Sequence, residues 1–329
     1  MRSLIPILLL VVALPVSAQV PEAGGTLVVV NKLGNTASII DVASGRTLAS
    51  LKTGLQPHEV AISSDGQVAV VSDYAGSGGR TLTVIDVPGL AVARTIELGE
   101  HVGPHGIAFL PGDELVAVTA ETSKHVVLVD VAAGEVVKSL PTEANSSHML
   151  AVPDQADVIY TSNIRDGTVT EIGIAAGGPI RTFEVPPAPE AIGVTPDGSE
   201  VWVGSNRLGT VSVIDTGTGV VKKAQSGFTF PYRIAFTPDS RTVLIPDLRK
   251  GELRIVDRES RSEITRFDFS GAGPEGVTVA DNGRWVFLAL SQKARVAVLD
   301  LEEMFLAGYL LAGQGPDGVA YTSLSVTQP

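Results

Sequence analysis

Short apolar runs separated by tight polar clusters fill most of the chain. The stretch GPHGIAFLPGDELVAVTA, Gly103–Ala120, is one unit of the pattern: a Pro-His pair, an apolar run, a Pro-Gly-Asp turn and a second apolar run. It returns with variation upstream as QPHEVAISSDGQVAVVSD, Gln56–Asp73, and downstream as SSHMLAVPDQADVIYTSN, Ser146–Asn163. Apolar runs of four to eight residues bounded by Gly, Pro, Asp, Asn and Ser predict β-strands joined by turns.

The unit repeats along the whole chain. Pro57, Pro104, Ser147, Pro189, Pro231, Pro274 and Pro316 stand at intervals of 42 to 47 residues. A second ladder keeps the same period: Asp41, Asp86, Asp130, Asp215, Asp257 and Asp300 each end an apolar run, as in TLTVID and RVAVLD. Within the unit opened by Pro231, the segments IAFTP, TVLIPD, ELRIVD and EITRFDF predict four strands. Four strands recurring about every 42 residues predict a β-propeller. Gly24 to Gly54 supplies only second, third and fourth strands, whereas Gly315 to Ser323 supplies only a first. Joined, they complete a seventh blade and leave no unpaired sheet edge at the closure. The expectation is an all-β chain in which residues 19–329 form a single seven-bladed propeller with a composite terminal blade, 24–54 plus 315–323.

Units such as PEAIGVTPDGSEVWVGSNRLGTVSVIDTGTGVV resemble the YVTN-type β-propeller repeat, and Tyr160-Thr161-Ser162-Asn163 nearly spells its namesake motif. The resemblance covers essentially all of the chain beyond the leader. It implies the fold, while its functions vary: related propellers include periplasmic proteins of unsettled role, lactonase-like enzymes, and domains that work beside quinoproteins or haem enzymes. Fold alone therefore leaves the function open.

The first residues read as a secretory signal. Arg2 forms the positive region, Leu4 to Val16 the apolar region, and Val16-Ser17-Ala18 a small-residue cleavage site after Ala18. A periplasmic or secreted location is expected, with no membrane insertion, because the run is short and broken by Pro6 and Pro15. The chain has no cysteine, which excludes disulfides, thiolate metal sites and covalently attached haem. A formal charge of −12 without a basic run argues against nucleic acid as a partner.

The candidate chemistry lies one residue after each Pro or Ser anchor. That position carries His58, His105, His148, Glu190, Tyr232, Glu275 and Asp317. All are polar or titratable, and in a propeller they should ring the mouth of the central channel. Second-strand ends are expected to add Asn31, Asp73, Glu121, Asn163, Asn206, Asp247 and Ser291, followed by Arg165, Arg207, Arg249 and Lys293 in the next loops. The insertion Asp73–Arg80 (DYAGSGGR) lies beside His58 and could cover a ligand there. Small residues three positions later, such as Ala61, Ala108, Ala151 and Gly193, fit where blades converge.

Two functional readings stand open. In the first, a non-enzymatic monomer binds a small molecule or a periplasmic or extracellular protein through a funnel at the mouth, with Arg207 and Arg249 among the binding residues. In the second, His58, His105 and His148 hold a divalent metal such as Zn, Cu or Fe. His105 would then be the catalytic candidate of a lactonase-like hydrolase or lyase, with Glu190 or Glu275 as acid. His101 and His125 are expected on the surface.

Overall fold

The computed structural model describes residues 22–155 and 157–327; the expected leader, residues 1–18, and its cleavage point lie outside them. Seven four-stranded antiparallel sheets are arranged in a ring, so the expected propeller is observed. The closing blade is composite: Pro316–Thr322 pairs with Thr26–Asn31, which pairs with Thr36–Asp41, which pairs with Arg46–Lys52. The other inner strands are Pro57–Ile62, Pro104–Phe109, Ser147–Ala151, Pro189–Val194, Ala235–Phe236 and Pro274–Val279.

The strands follow from the residue pattern. Second and third strands such as Thr26–Asn31 and Arg295–Asp300 are buried almost throughout, on both faces, because each sheet is covered by a blade on either side. Fourth strands are largely exposed, as in Glu263–Asp268, which alternates half-buried and exposed residues, because they form the outer rim. Seven apolar clusters result, each between two neighbouring blades. One joins Val70, Leu82 and Ile96 to Val116, Val118 and Val127; another joins Trp202 and Val211 to Ile234, Val243 and Ile245. Every blade is thus stabilised mainly by its neighbours, and ring closure completes the last interface.

The Asp ladder closes turns. Asp86, Asp130, Asp215 and Asp257 accept the backbone N–H three residues on, from Gly89, Ala133, Thr218 and Ser260, at 2.7–2.9 Å. One inner strand departs from the pattern. In the unit opened by Pro231 only Ala235–Phe236 is regular, preceded by an isolated bridge from Pro231 to Asp247. Tyr232 and Arg233 interrupt it, both buried in the channel.

Candidate functional site at the channel mouth

The same backbone device starts nearly every inner strand. The residue before the anchor is left-handed at Gln56, Gly103, Ser146, Ala188, Gly273 and Gly315, with φ from 46° to 77°. Its carbonyl accepts the N–H of the first residue after the second strand: Glu121 to Gly103, Ile164 to Ser146, Asn206 to Ala188, Ser291 to Gly273 and Lys32 to Gly315, all near 2.8–3.0 Å. This kink turns the residue after the anchor towards the axis.

Those seven residues do come together. His58 and His105 have ring centroids 4.5 Å apart, and His105 and His148 are 3.7 Å apart. His148 Nε2 lies 3.9 Å from Glu190 Oε1. Tyr232 donates its hydroxyl to Asp317 Oδ1 at 3.1 Å, and Asp317 Oδ2 lies 2.9 Å from His58 Nδ1. Glu275 is close enough to Asp317 for the two carboxyls to interact.

Two further charged residues were not anticipated. Glu59 and Arg233 stand two positions after their anchors, in blades on opposite sides of the ring, and their side chains meet across the channel. Arg233 Nε donates to Glu59 Oε1 at 3.0 Å, and Nη1 donates to the Tyr232 carbonyl at 2.7 Å. The guanidinium carbon lies 4.0 Å over the Tyr232 ring, and Nη1 is 3.9 Å from Glu190. The sequence does carry a signal. At the same position the other blades have Gly106, Met149, Ala191, Gly276 and Gly318, so two opposite charges among uncharged residues mark a site where something crosses the axis.

The second-strand residues need correction by one position. Asn31, Asp73, Asn163 and Asp247 end their strands and bond within their own blades, not at the mouth. Asn31 donates to Thr36 and Ser38, and Asp73 accepts from Thr81 and Thr83. The residue after the strand faces the mouth. Lys32 is 3.8 Å from Asp317, Tyr74 packs edge-on to His58 and His105 at 4.8 Å each, and Glu121 accepts from His148 at 3.0 Å. Asn206 donates to Glu190, and Ser291, whose hydroxyl donates to the Gly273 carbonyl at 3.1 Å, lies beside Glu275. Along a strand successive side chains alternate faces, so a one-residue offset changes the surroundings completely.

The expected funnel is filled. His105 and Asp317 are fully buried, and His58 and Tyr232 are nearly so. Tyr74 covers the imidazoles, its hydroxyl donating to Glu121 at 2.9 Å. The insertion that follows it is fastened down: Ala75 N–H donates to Leu55, Gly103 N–H to Gly79, and Thr122 Oγ1 to Ser77. Arg207 and Arg249 do not reach the ring. Arg207 is exposed, and Arg249 lies exposed over Phe230 at 4.5 Å, because both loops open outward. The cations that do reach it are Lys32 and Arg233. His101, expected on the surface, is buried edge-on to His125 at 5.3 Å.

Burial dominates the electrostatics. It lowers the His58 imidazole and, helped by the neighbouring His148 and His58, lowers His105 well below the ordinary histidine range. Burial likewise raises Glu59 and Glu190, and burial with the charge of Asp317 pushes Glu275 up to about 9. Burial would also raise Asp317, but His58, Arg233 and Lys32 outweigh it and hold this carboxyl below the ordinary range.

The three imidazoles stack with tilts of 39° and 32°. Nitrogen lone pairs lie in the ring planes, so stacked rings aim them side by side rather than at one point. Among the described residues, the trio whose donor atoms do fall together, all within 4.8 Å, is His58, Glu59 and Asp317.

Ring, blade count and sheet order define the chain as a seven-bladed β-propeller. Solved structures share the fold. A hydrazine synthase structure from Kuenenia stuttgartiensis aligns with TM-score 0.75 and 19% identity over 91% of this chain and 99% of that one. A functionally unknown protein from Desulfotomaculum acetoxidans aligns with TM-score 0.76 and 15% identity over 90% and 98%. No protein-family profile matches the sequence, and no curated protein is similar to it.

Proposed function

We propose that this propeller is an exported binding protein of the YVTN-repeat type that docks an acidic protein partner on its mouth face. The observation that carries the reading is a basic rim on an acidic chain. The loop between second and third strands holds at least one basic residue in every blade: Lys32, Arg80, Lys124, Arg165, Arg207, Arg249 and Lys293. The opposite face is acidic on balance, with Asp65, Asp113, Asp154, Asp197, Asp239 and Asp281 in the turns between first and second strands against Arg241 and Arg284 there. A chain of net charge −12 is thereby polarised, which orients approach of an anionic surface.

Exposed leucines lie on the same face as the rim: Leu33 at 69%, Leu55 at 65% and Leu208 at 59%. Arginine beside exposed apolar residues is the composition of a protein interface. The filled mouth favours a protein over a small ligand, because among the described residues Tyr74, Tyr232 and Arg233 occupy the space above the ring. It also weighs against the hydrolase reading: His105 lies fully buried beneath Tyr74, out of reach of a substrate carbonyl.

Poly-L-glutamate serves as a defined surrogate for the acidic partner. At low ionic strength the protein should bind it with an affinity that falls as salt rises. Reversal of Arg165, Arg207 and Arg249 to Glu should abolish binding. Absence of binding, or binding indifferent to that reversal, would refute the proposal.

A further inference from the structure

We propose that the mouth holds a divalent transition-metal ion, bound by the His58 imidazole and the Glu59 and Asp317 carboxylates. Their donor atoms all lie within 4.8 Å of one another. Around an ion with bonds of about 2.1 Å, octahedral donors stand about 3.0 Å apart when adjacent and about 4.2 Å when opposite, so only small side-chain movements are needed.

A second observation points to a cation independently of that clustering. His58 Nδ1 and Asp317 Oδ2 lie 2.9 Å apart without the alignment of a hydrogen bond, and both are buried atoms without a hydrogen-bond partner. With Nδ1 unprotonated, its lone pair and the carboxylate oxygen repel at this distance, and a proton on Nδ1 would be poorly aimed at Asp317; a metal ion between the two atoms satisfies both. Both ring nitrogens of His105, stacked on His58, are orphaned as well. Buried polar groups are seldom left so, and several at one place mark a missing partner.

Charge gives the same answer. With Glu275 holding its proton, the largely buried carboxylates Glu59, Glu121, Glu190 and Asp317 face two cations, Lys32 and Arg233, leaving two negative charges uncompensated when the imidazoles are neutral. One divalent ion balances them. Arg233 occupies Glu59 when the ion is absent and has Glu190 at 3.9 Å as its alternative, while Lys32 is partly exposed and free to swing outward. An imidazole among carboxylates selects zinc or manganese over calcium or magnesium.

The test uses the untagged full chain, stripped with chelator and titrated calorimetrically with Zn²⁺ and with Mn²⁺. One ion should bind per chain, and Mg²⁺ and Ca²⁺ should not compete. Asp317→Asn and Glu59→Gln should each weaken binding by more than about a hundredfold, since even groups that only support a metal ligand are worth about ten- to a hundredfold. Arg233→Gln should tighten it by about tenfold, because a competing positive charge is removed. His125→Gln should leave it unchanged. Anomalous scattering from crystals soaked in Zn²⁺ should place the ion against His58, Glu59 and Asp317, whatever the variants do to folding. No stoichiometric binding, binding that survives Asp317→Asn, binding lost in His125→Gln, or an anomalous peak elsewhere would each overturn the proposal.

Discussion

Asp73→Asn should stabilise the protein, and by an amount that depends on pH. Asp73 is buried at the end of its strand and accepts hydrogen bonds from Thr81 and Thr83, both 2.9 Å to Oδ2, and from the Gly54 N–H at 3.0 Å to Oδ1. Two sister blades place asparagine at this position. Asn31 donates to Thr36 and Ser38 and accepts from Gly313 N–H, and Asn163 donates to Thr168 and Thr170. An asparagine at position 73 can therefore keep every bond while removing a buried charge.

Burial raises Asp73 to about 6, against an ordinary value of 3.8, and its hydrogen bonds offset only part of the rise. A carboxyl with a raised folded value holds its proton more tightly when folded. The associated stability is fully present below the unfolded value and is lost as pH rises through about 6. A shift of roughly two units corresponds to about 3 kcal/mol lost by about pH 7. The advantage of Asp73→Asn over wild type should grow by about that amount between about pH 4 and pH 7, measured by urea unfolding. Asp247→Asn is the control. Asp247 accepts three backbone N–H groups, from Thr229, Phe230 and Lys250, and an amide cannot replace both oxygens, so this variant should be destabilised. An advantage for Asp73→Asn that does not change with pH, or a loss of stability at neutral pH, would refute the reasoning.

Other substitutions test other parts of the account. Ala188→Gly should gain up to about 1 kcal/mol in thermal unfolding, because Ala188 has φ 55° where sister blades use Gly103, Gly273 and Gly315. Gly106→Ala should cost about 1–3 kcal/mol, since a Cβ there would stand 2.7 Å from Leu150 N and 2.9 Å from Met149 Cα of the next blade. Arg233→Gln should destabilise the apo protein by about 3–5 kcal/mol by leaving Glu59 buried without its partner. Adding Glu59→Gln to it should recover part of the loss, read as a coupling energy in a double-mutant cycle.

What the sequence revealed and withheld follows from the range of each interaction. The fold was legible because strands and turns are local: Pro57 or Pro104 starts a strand, and Asp86 or Asp130 closes a turn on its own neighbours. The ring of His58, His105 and His148 was legible because one backbone position repeats. The layer at Lys32, Tyr74 and Glu121 is only partly legible, although Tyr74 and Glu121 each stand 17 residues after their anchors, Pro57 and Pro104. Polar residues occupy both candidate positions in several blades, and alternation sends one into the blade and the other to the mouth. The Arg233–Glu59 contact spans 174 positions and exists only because the ring closes. The filling of the funnel was not legible at all, since it depends on how Tyr74, Tyr232 and Arg233 pack together.

The central claim is that the mouth face, with its basic rim and exposed leucines, is the surface that meets a partner. A benzophenone side chain placed at Leu208 on that face, and separately at Glu303 on the opposite face, tests it directly in the native host. Leu208 should crosslink to one acidic protein, with a yield that falls as salt rises and disappears when Arg165, Arg207 and Arg249 are reversed to Glu. Glu303 should give no such product. Crosslinking from Glu303 alone, equal crosslinking from both positions, or a Leu208 product insensitive to the rim reversal would contradict the account.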